Sequence, residues 1–311
     1  MVHSSSSIKK IAVLAASILF SFTTIKIYAT EFALPAGNNN VIGSIQFANA
    51  LNGDTPASFA ERYDVGLNAV VAANPGTTER AIGASYLKVP TAYILPALPY
   101  SGIVVNLPEM RLYYYPPGSD SVMTFPIGIG KMGNNIPIRN TSIIRKKVNP
   151  TWIPGPDVRA YNEDQGIDLP RTMGPGPDNP LGPYAIYLGI PSFLIHSTIF
   201  PESIGRRASF GCIRMNETDI KQFFPLVTPG THVAIINMPY KAGWFGKKLY
   251  FEAHQPLEEE SDQFNATKDG AITVVQRILP KGVMTMVDWQ LVAHLAEEPD
   301  GLPHEVGVRM D

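Results

Sequence analysis

The chain has 311 residues, roughly twice the common domain size of about 150, which is enough to bury one large core or two modest ones. Its 45% hydrophobic and 17% charged residues suit a folded soluble protein, and 28 prolines point to long, stiffened loops. A formal charge of -2 with no basic stripe excludes nucleic acid as a partner.

Residues 1–29 read as a secretory signal peptide. Lys9 and Lys10 supply its charge, Ile11 to Phe22 its apolar run, and Ile27-Tyr28-Ala29 a cleavage site that would start the mature chain near Thr30. The apolar run is about 12 residues, short of the roughly 20 that span a bilayer. No cysteine stands near the cleavage site to carry a lipid. After a Gly/Asn-rich lead-in, Ile42, Ile45 and Phe47 suggest a short strand. Asp54 or Thr55 can cap a helix that places Phe59, Ala60 and Tyr63 on one face. A second helix fits Leu67 to Ala73, stopped by Asn74-Pro75-Gly76, and Leu87 to Pro90 alternates as a closing strand. The unit is a βααβ of about 50 residues. Gly53-Asp54-Thr55, Ala60-Glu61-Arg62-Tyr63, Leu67-Asn68 and Ala73-Asn74-Pro75 occur in order, and residues 41–95 thereby resemble the LysM module. That resemblance implies binding to the glycan strand of peptidoglycan or to chitin.

A proline-rich joint, Pro90 through Pro99, precedes a second unit over 101–238. Runs at 103–107, 110–115, 123–130, 139–148, 184–190, 193–197 and 230–237 are strand-like and separated by turn residues, which argues for a mostly β architecture built of antiparallel hairpins. Between Asn149 and Gly182 the chain is rich in Pro, Gly and Asp without periodicity, as expected of a functional loop or lid. Residues 239–311 form a C-terminal extension with a β-like patch at Lys248 to Phe251, an acidic run at Glu258 to Glu260 read as a solvated face, and a helical pattern at Ile272, Val275 and Leu279.

Cys212 is the single cysteine, so it forms no internal disulfide and is either a small buried apolar residue or a reserved thiol. His196 ends an apolar run sixteen residues upstream. A thiol attacks as thiolate, and an imidazole partner can take its proton and return it to a leaving amine. In this reading Cys212 is the nucleophile and His196 the general base and acid. Gly211 lets the backbone approach a substrate and contributes its amide to an oxyanion hole. Arg214 holds a substrate carboxylate, and Ser197 or Thr198 orients the imidazole. Equally bland roles are open to the supporting residues: Ser209 can simply close a turn, Arg214 form a surface ion pair and Ser197 bond its own backbone. Metal ligation lacks a ligand set, since there is no other cysteine and His232, His254, His294 and His304 follow no ligand spacing; His232 reads as an edge-strand residue. No P-loop or dinucleotide glycine motif occurs, so neither a cofactor nor a metal is expected.

His196 with Ser209-Phe210-Gly211-Cys212-Ile213-Arg214, preceded by Pro175 to Gly182, resembles the L,D-transpeptidase catalytic domain of YkuD type over about residues 101–238. The tail from Gly243-Trp244 to His254-Gln255-Pro256 is similar to extensions of periplasmic members. The resemblance implies a β-sandwich-like catalytic domain. It also implies a thioester formed by Cys212 on a tetrapeptide stem with loss of D-Ala, then transfer to an amine: a second stem in a cross-link, or an outer-membrane protein or lipoprotein. Carbapenem β-lactams would acylate the same thiol. Where the family often reads Ser-His-Gly-Cys this chain has Phe210, and Ser197 stands where glycine is common. The alternative is a peptidoglycan-binding protein whose transpeptidase site has decayed; a hydrolytic cysteine peptidase would differ only in using water to resolve the thioester.

Overall fold

The computed structural model describes residues 30–77, 82–83, 85–97, 99–134, 136–260 and 268–311; the expected leader, 1–29, lies outside them. Its first part runs β1 (Thr30–Ala33), β2 (Val41–Gly43), β3 (Gln46–Asn49), α1 (Pro56–Arg62), α2 (Leu67–Ala73), β4 (Tyr86–Val89) and β5 (Ala92–Ile94). The one strand expected over 42–47 is divided in two. Gly43 turns the chain at φ +71°, so close to the Thr91 carbonyl that a Cβ there would lie 2.0 Å from its oxygen. Thr55 caps α1 in a capping box with Ser58, satisfying two orphan backbone donors, and Pro56 begins the helix where no donor is needed. Asn74 ends α2 and fastens it to β4: its amide donates to the Val70 and Lys88 carbonyls at 2.8 and 3.0 Å and accepts from the Lys88 N–H at 2.8 Å. β3 and β4 pair antiparallel, and Phe59, Val65, Val70, Leu87 and Val89 close a small core beneath them.

Next come β6 (Gly102–Asn106), β7 (Arg111–Tyr115), β8 (Ser121–Pro126), β9 (Ile129–Gly130), β10 (Arg139–Val148), α3 (Pro156–Asp164), β11 (Tyr184–Leu188), β12 (Leu194–His196), β13 (Arg207–Ser209), β14 (Ile213–Arg214), α4 (Glu217–Leu226) and β15 (His232–Ile236). Nine strands form a sheet in the order β1-β8-β7-β6-β15-β10-β11-β12-β14. β10 pairs with β15 through residues 139–142 and with β11 through 143–148, with a register irregularity at Ile143/Arg145. A bulge there bends the strand so that one sheet curls over a single core, to which both halves contribute, including Val105, Phe125, Ile186, Ile195, Ile213 and Phe223. The antiparallel expectation holds for most pairs, but β6–β15, β12–β14 and the separate pair β9–β13 are parallel. His232 therefore starts an interior strand, between β6 and β10, rather than an edge. The opposite face of β6 to β8 is covered by the N-terminal part through Ile42, Tyr93 and Leu95, which explains why β7 is buried along its whole length.

The C-terminal part, β16 (Tyr240–Phe245), β17 (Lys248–Ala253), α5 (Lys268–Ile278), β18 (Thr285–Val287), α6 (Trp289–Glu297) and β19 (His304–Arg309), makes a four-stranded sheet in the order β16-β17-β19-β18, with its own core of Trp244, Phe251, Val275 and Val292. The acidic run is not merely solvated. Glu259 forms a forked ion pair with Arg207 of β13, one bond measuring 2.8 Å, which ties the extension to the strand before Cys212.

A buried ionic cluster joins all three parts. The Lys241 ammonium lies 2.9 Å from Glu109, 2.7 Å from Glu252 and 3.2 Å from the Tyr113 hydroxyl; His254 meets Glu252 at 2.6 Å, and the Ile94 N–H donates to Glu252 at 2.5 Å. Burial alone would raise the Glu109 carboxyl, but Lys241, His254 and Arg111 outweigh it and hold the pKa at about 2. Glu109, Glu252 and His254 bring ligand-type atoms within 4.8 Å of one another, and the ammonium between the two carboxylates supplies their positive charge. Among the described residues no helix is long and apolar enough to cross a membrane.

Candidate active site

His196 closes β12 and Cys212 immediately precedes β14. The parallel register matches Ile195 with Ile213 and His196 with Arg214. Side chains alternate along a strand, so Leu194, His196, Cys212 and Arg214 project to the same face, and the thiol and imidazole are diagonal neighbours on adjacent strands. Thr198 follows in the loop, its hydroxyl accepting from the Phe200 N–H at 3.0 Å.

The turn that presents the thiol is built by Ser209 and Gly211. The Ser209 hydroxyl donates to the Cys212 carbonyl at 2.5 Å and accepts from the Gly211 N–H at 3.1 Å. Gly211 sits at φ +109°, and a Cβ on it would lie 2.7 Å from the Phe193 ring and 3.1 Å from the Asn134 carbonyl. The Gly211 amide is thus engaged inside the turn. The Cys212 N–H has no backbone acceptor among the described residues. Gly211→Ala is expected to displace Cys212 and slow acylation about 10²-fold with little loss of fold, since misplacing a reacting group by about 1 Å costs that much; stopped-flow acylation beside far-ultraviolet circular dichroism checks it.

The His196 imidazole is buried, with Nδ1 against the Ser197 carbonyl. Ser197 therefore orients the ring through its backbone. Its hydroxyl is occupied elsewhere, donating to the Leu181 carbonyl at 2.9 Å and accepting from the Tyr184 N–H at 3.0 Å. The Pro/Gly loop supports this arrangement. Asn179, almost wholly buried, donates to the Pro150 carbonyl at 2.8 Å and accepts from the Leu181 N–H at 3.0 Å. Gly182, at φ +59°, passes so near Ser197 that a Cβ would lie 2.5 Å from its hydroxyl. With Nδ1 protonated and tied to backbone, Nε2 carries the lone pair.

Burial, then the charge of Arg214, depresses the His196 pKa to about 4; burial raises that of Cys212 against opposing contributions from the Leu194 N–H and Arg214. At neutral pH the pair is thiol plus neutral imidazole, not thiolate plus imidazolium. Among the described residues the thiol's hydrogen-bond contacts are Leu194 and the Ser192 carbonyl, the latter at 3.7 Å. Arg214 is mostly buried, its Nε has no hydrogen-bond partner among the described residues, and its guanidinium carbon lies 5.8 Å from the Phe200 ring. A part-buried guanidinium with an unpartnered Nε is suited to a carboxylate brought by a ligand.

Phe210, at the position of the missing motif histidine, packs edge-on against Tyr161 of α3 with ring centroids 5.3 Å apart. The Lys131 ammonium lies 3.7 Å from the Tyr161 ring and 3.8 Å from that of Phe210. α3 has no buried residue, and its loop is closed on itself by the Trp152–Met173 bridge and by Arg159 donating to the carbonyls of Leu169, Pro170 and Arg171. Lys131, Tyr161, Ser192 and Asn134 were not singled out from sequence, because nothing local marks a residue that reaches the site from a distant loop.

Residues 101–235 match the family model of the L,D-transpeptidase catalytic domain, YkuD. Beyond that domain, the chain is 38% identical over 288 residues to "Probable L,D-transpeptidase YcfS" of Escherichia coli K12, covering 89% of this chain and 88% of that protein. The chain belongs to the L,D-transpeptidase family. It is also 37% identical to "Probable L,D-transpeptidase YbiS" of the same strain, over 88% of this chain and 91% of that protein, and 39% identical to "Probable L,D-transpeptidase ErfK/SrfK" of Salmonella typhimurium, over 88% and 90%. The enzyme is thus a transpeptidase, an acyltransferase, and the matched domain contains the whole His196–Cys212 arrangement.

Proposed function

We propose that Cys212 is the nucleophile of this transpeptidase and His196 its general base and acid; the observation that carries the reading is the parallel β12–β14 register, which sets both on one face beside Arg214. His196 Nε2 takes the thiol proton as sulfur bonds to the carbonyl carbon of a peptide stem. The Cys212 N–H receives the oxyanion, and the C–N bond to the terminal D-residue breaks as the imidazolium returns its proton to the leaving amine. An acceptor amine then attacks the thioester, loses a proton to His196 and releases the thiol. Arg214 takes the carboxylate of the leaving D-residue. A peptidoglycan stem peptide as donor, a second stem or an outer-membrane protein or lipoprotein as acceptor, carbapenems as acylating inhibitors, and export to the periplasm all belong to this reading. Residues 41–95, as a LysM unit, would hold the glycan strand; the 53–55 turn and the end of α2 are the loops it would use.

His196→Ala should slow carbapenem acylation of Cys212 by about 10²–10⁴-fold, read as the mass increase on intact protein against time; unchanged acylation refutes the base assignment. The pH profile is a second check. His196 works as a base only when neutral, so with its pKa lowered to about 4 the wild-type acylation rate should fall only as the pH drops toward about 4, without a break near pH 6.5.

A further inference from the structure

Asp64 and Asp219 belong to parts of the chain that meet at one interface. Asp64 sits between α1 and α2 at φ +52°, and Asp219 is in the first turn of α4, five residues after Arg214. They are 7% and 3% exposed, each carboxyl acts on the other, and Oδ2 of each has no hydrogen-bond partner among the described residues. Two buried carboxylates side by side, each with an unpartnered Oδ2, are costly to keep ionised together, whereas one proton between them satisfies both.

Immediately beyond Asp64, the Leu67 and Asn68 N–H groups donate to the Ile204 and Gly205 carbonyls, both at 3.3 Å. Gly205 is shaped to this contact: at φ +75°, a Cβ on it would lie 2.3 Å from the Leu67 nitrogen. The loop so gripped runs from His196 to β13 and carries Phe200 and Glu202, whose ring and charge both bear on Arg214. From the other side, Asn216, two residues after Arg214, faces Asp219 and favours its ionised form.

We propose that Asp64 and Asp219 are positioning residues for the transpeptidase reaction: a proton shared between them fastens the α1–α2 unit onto the 199–206 loop, and that loop in turn holds Arg214. The second half rests on the role assigned to Arg214 above. The groups facing the pair are Arg111 of β7, itself beside Glu109, Asn216 ahead of α4, and Tyr93 of β5. Burial raises Asp64 to about 6 in spite of Arg111, and burial and Asp64 together raise Asp219 well above the usual carboxylate range. Both values are raised, so the fastened state retains a proton that the loosened state releases; fastening is complete in acid and is lost as the pH climbs beyond about 6 and the last proton leaves the pair.

Hydrogen-exchange protection factors of the Leu67 and Asn68 amides, measured at about pH 6 and about pH 9, test the fastening. Wild type should lose about tenfold or more of protection at the higher pH, one pKa unit of linked free energy. Asp219→Asn, whose amide donates to ionised Asp64 at every pH, should not. Equal protection of wild type at both pH values, or the same loss in Asp219→Asn, overturns the proposal; Asp64→Asn places the donor on the other side should the first variant fail to fold. The positioning role is read from carbapenem acylation: the ratio of the Asp219→Asn rate to the wild-type rate should rise with pH, and a constant ratio while wild-type protection falls overturns it. Absence of any Cys212 adduct beside a normal amide response would refute the nucleophile assignment and leave the fastening standing.

Discussion

Cys212→Ser is expected to slow acylation by a carbapenem by about 10⁴-fold while leaving the melting temperature within a degree or two, because the side chain changes by one atom and only the chemistry needs sulfur. The size of the effect follows from the environment of His196. With its pKa lowered to about 4 by burial and by Arg214, the imidazole is a weak base. It can assist a thiol, which even when burial raises its pKa is far more acidic than a serine hydroxyl, but not the hydroxyl. Intact-protein mass spectrometry after minutes of exposure should show a full adduct on the wild type and none on the variant. An adduct on the serine variant forming at a comparable rate would place the nucleophile elsewhere.

The largest structural effect is expected from Lys241→Met. This ammonium is nearly inaccessible and lies between Glu109 and Glu252, which are equally buried. Without it two carboxylates face one another with Tyr113, His254, Arg111, the Asn106 amide and the Ile94 N–H to compensate. Breaking a buried ion pair from one side costs about 3–5 kcal/mol, which for a protein of this size is a fall in melting temperature of about 10 °C. Calorimetry checks the fall, and the triple change Glu109→Gln, Lys241→Met, Glu252→Gln should recover part of it, because the penalty belongs to the orphaned charges rather than to the loss of the pair. A variant as stable as wild type would show that the cluster is solvated in solution.

Strand positions were legible wherever a run of β-branched and aromatic residues stood between turn residues. β10 was placed at its observed limits, and β6, β7, β11, β12 and β15 within one or two residues. Strand partners were not. The parallel pairings β6–β15 and β9–β13 join segments far apart in sequence, β12–β14 spans a loop, and no local pattern distinguishes a strand that will pair in parallel from one that will form a hairpin. The same division applies to the site. His196 and Cys212 carry a motif, but the neighbour of His196 that depresses its pKa, Arg214, becomes its neighbour only through the parallel register. Ser197 or Thr198 was expected to orient the imidazole through a side chain; the contact present runs from Nδ1 to the Ser197 carbonyl, which every residue possesses and which sequence cannot highlight. Asp64 and Asp219 were not singled out, since an isolated aspartate says nothing about a second one waiting across an interface.

The pairing of β6 with β15 has a kinetic consequence. Strand Gly102–Asn106 obtains its parallel partner only when His232–Ile236 arrives, and β10 depends on the same partner for its first half. The α1–α2 unit closes within about 45 residues and can form early, whereas the catalytic sheet must wait for a contact about 130 residues distant and bear the loop-closure entropy first. In refolding experiments, competence to acylate should therefore emerge as a late phase, after most helical signal has returned. Because the chain holds a single cysteine, no disulfide step can be the cause of that delay.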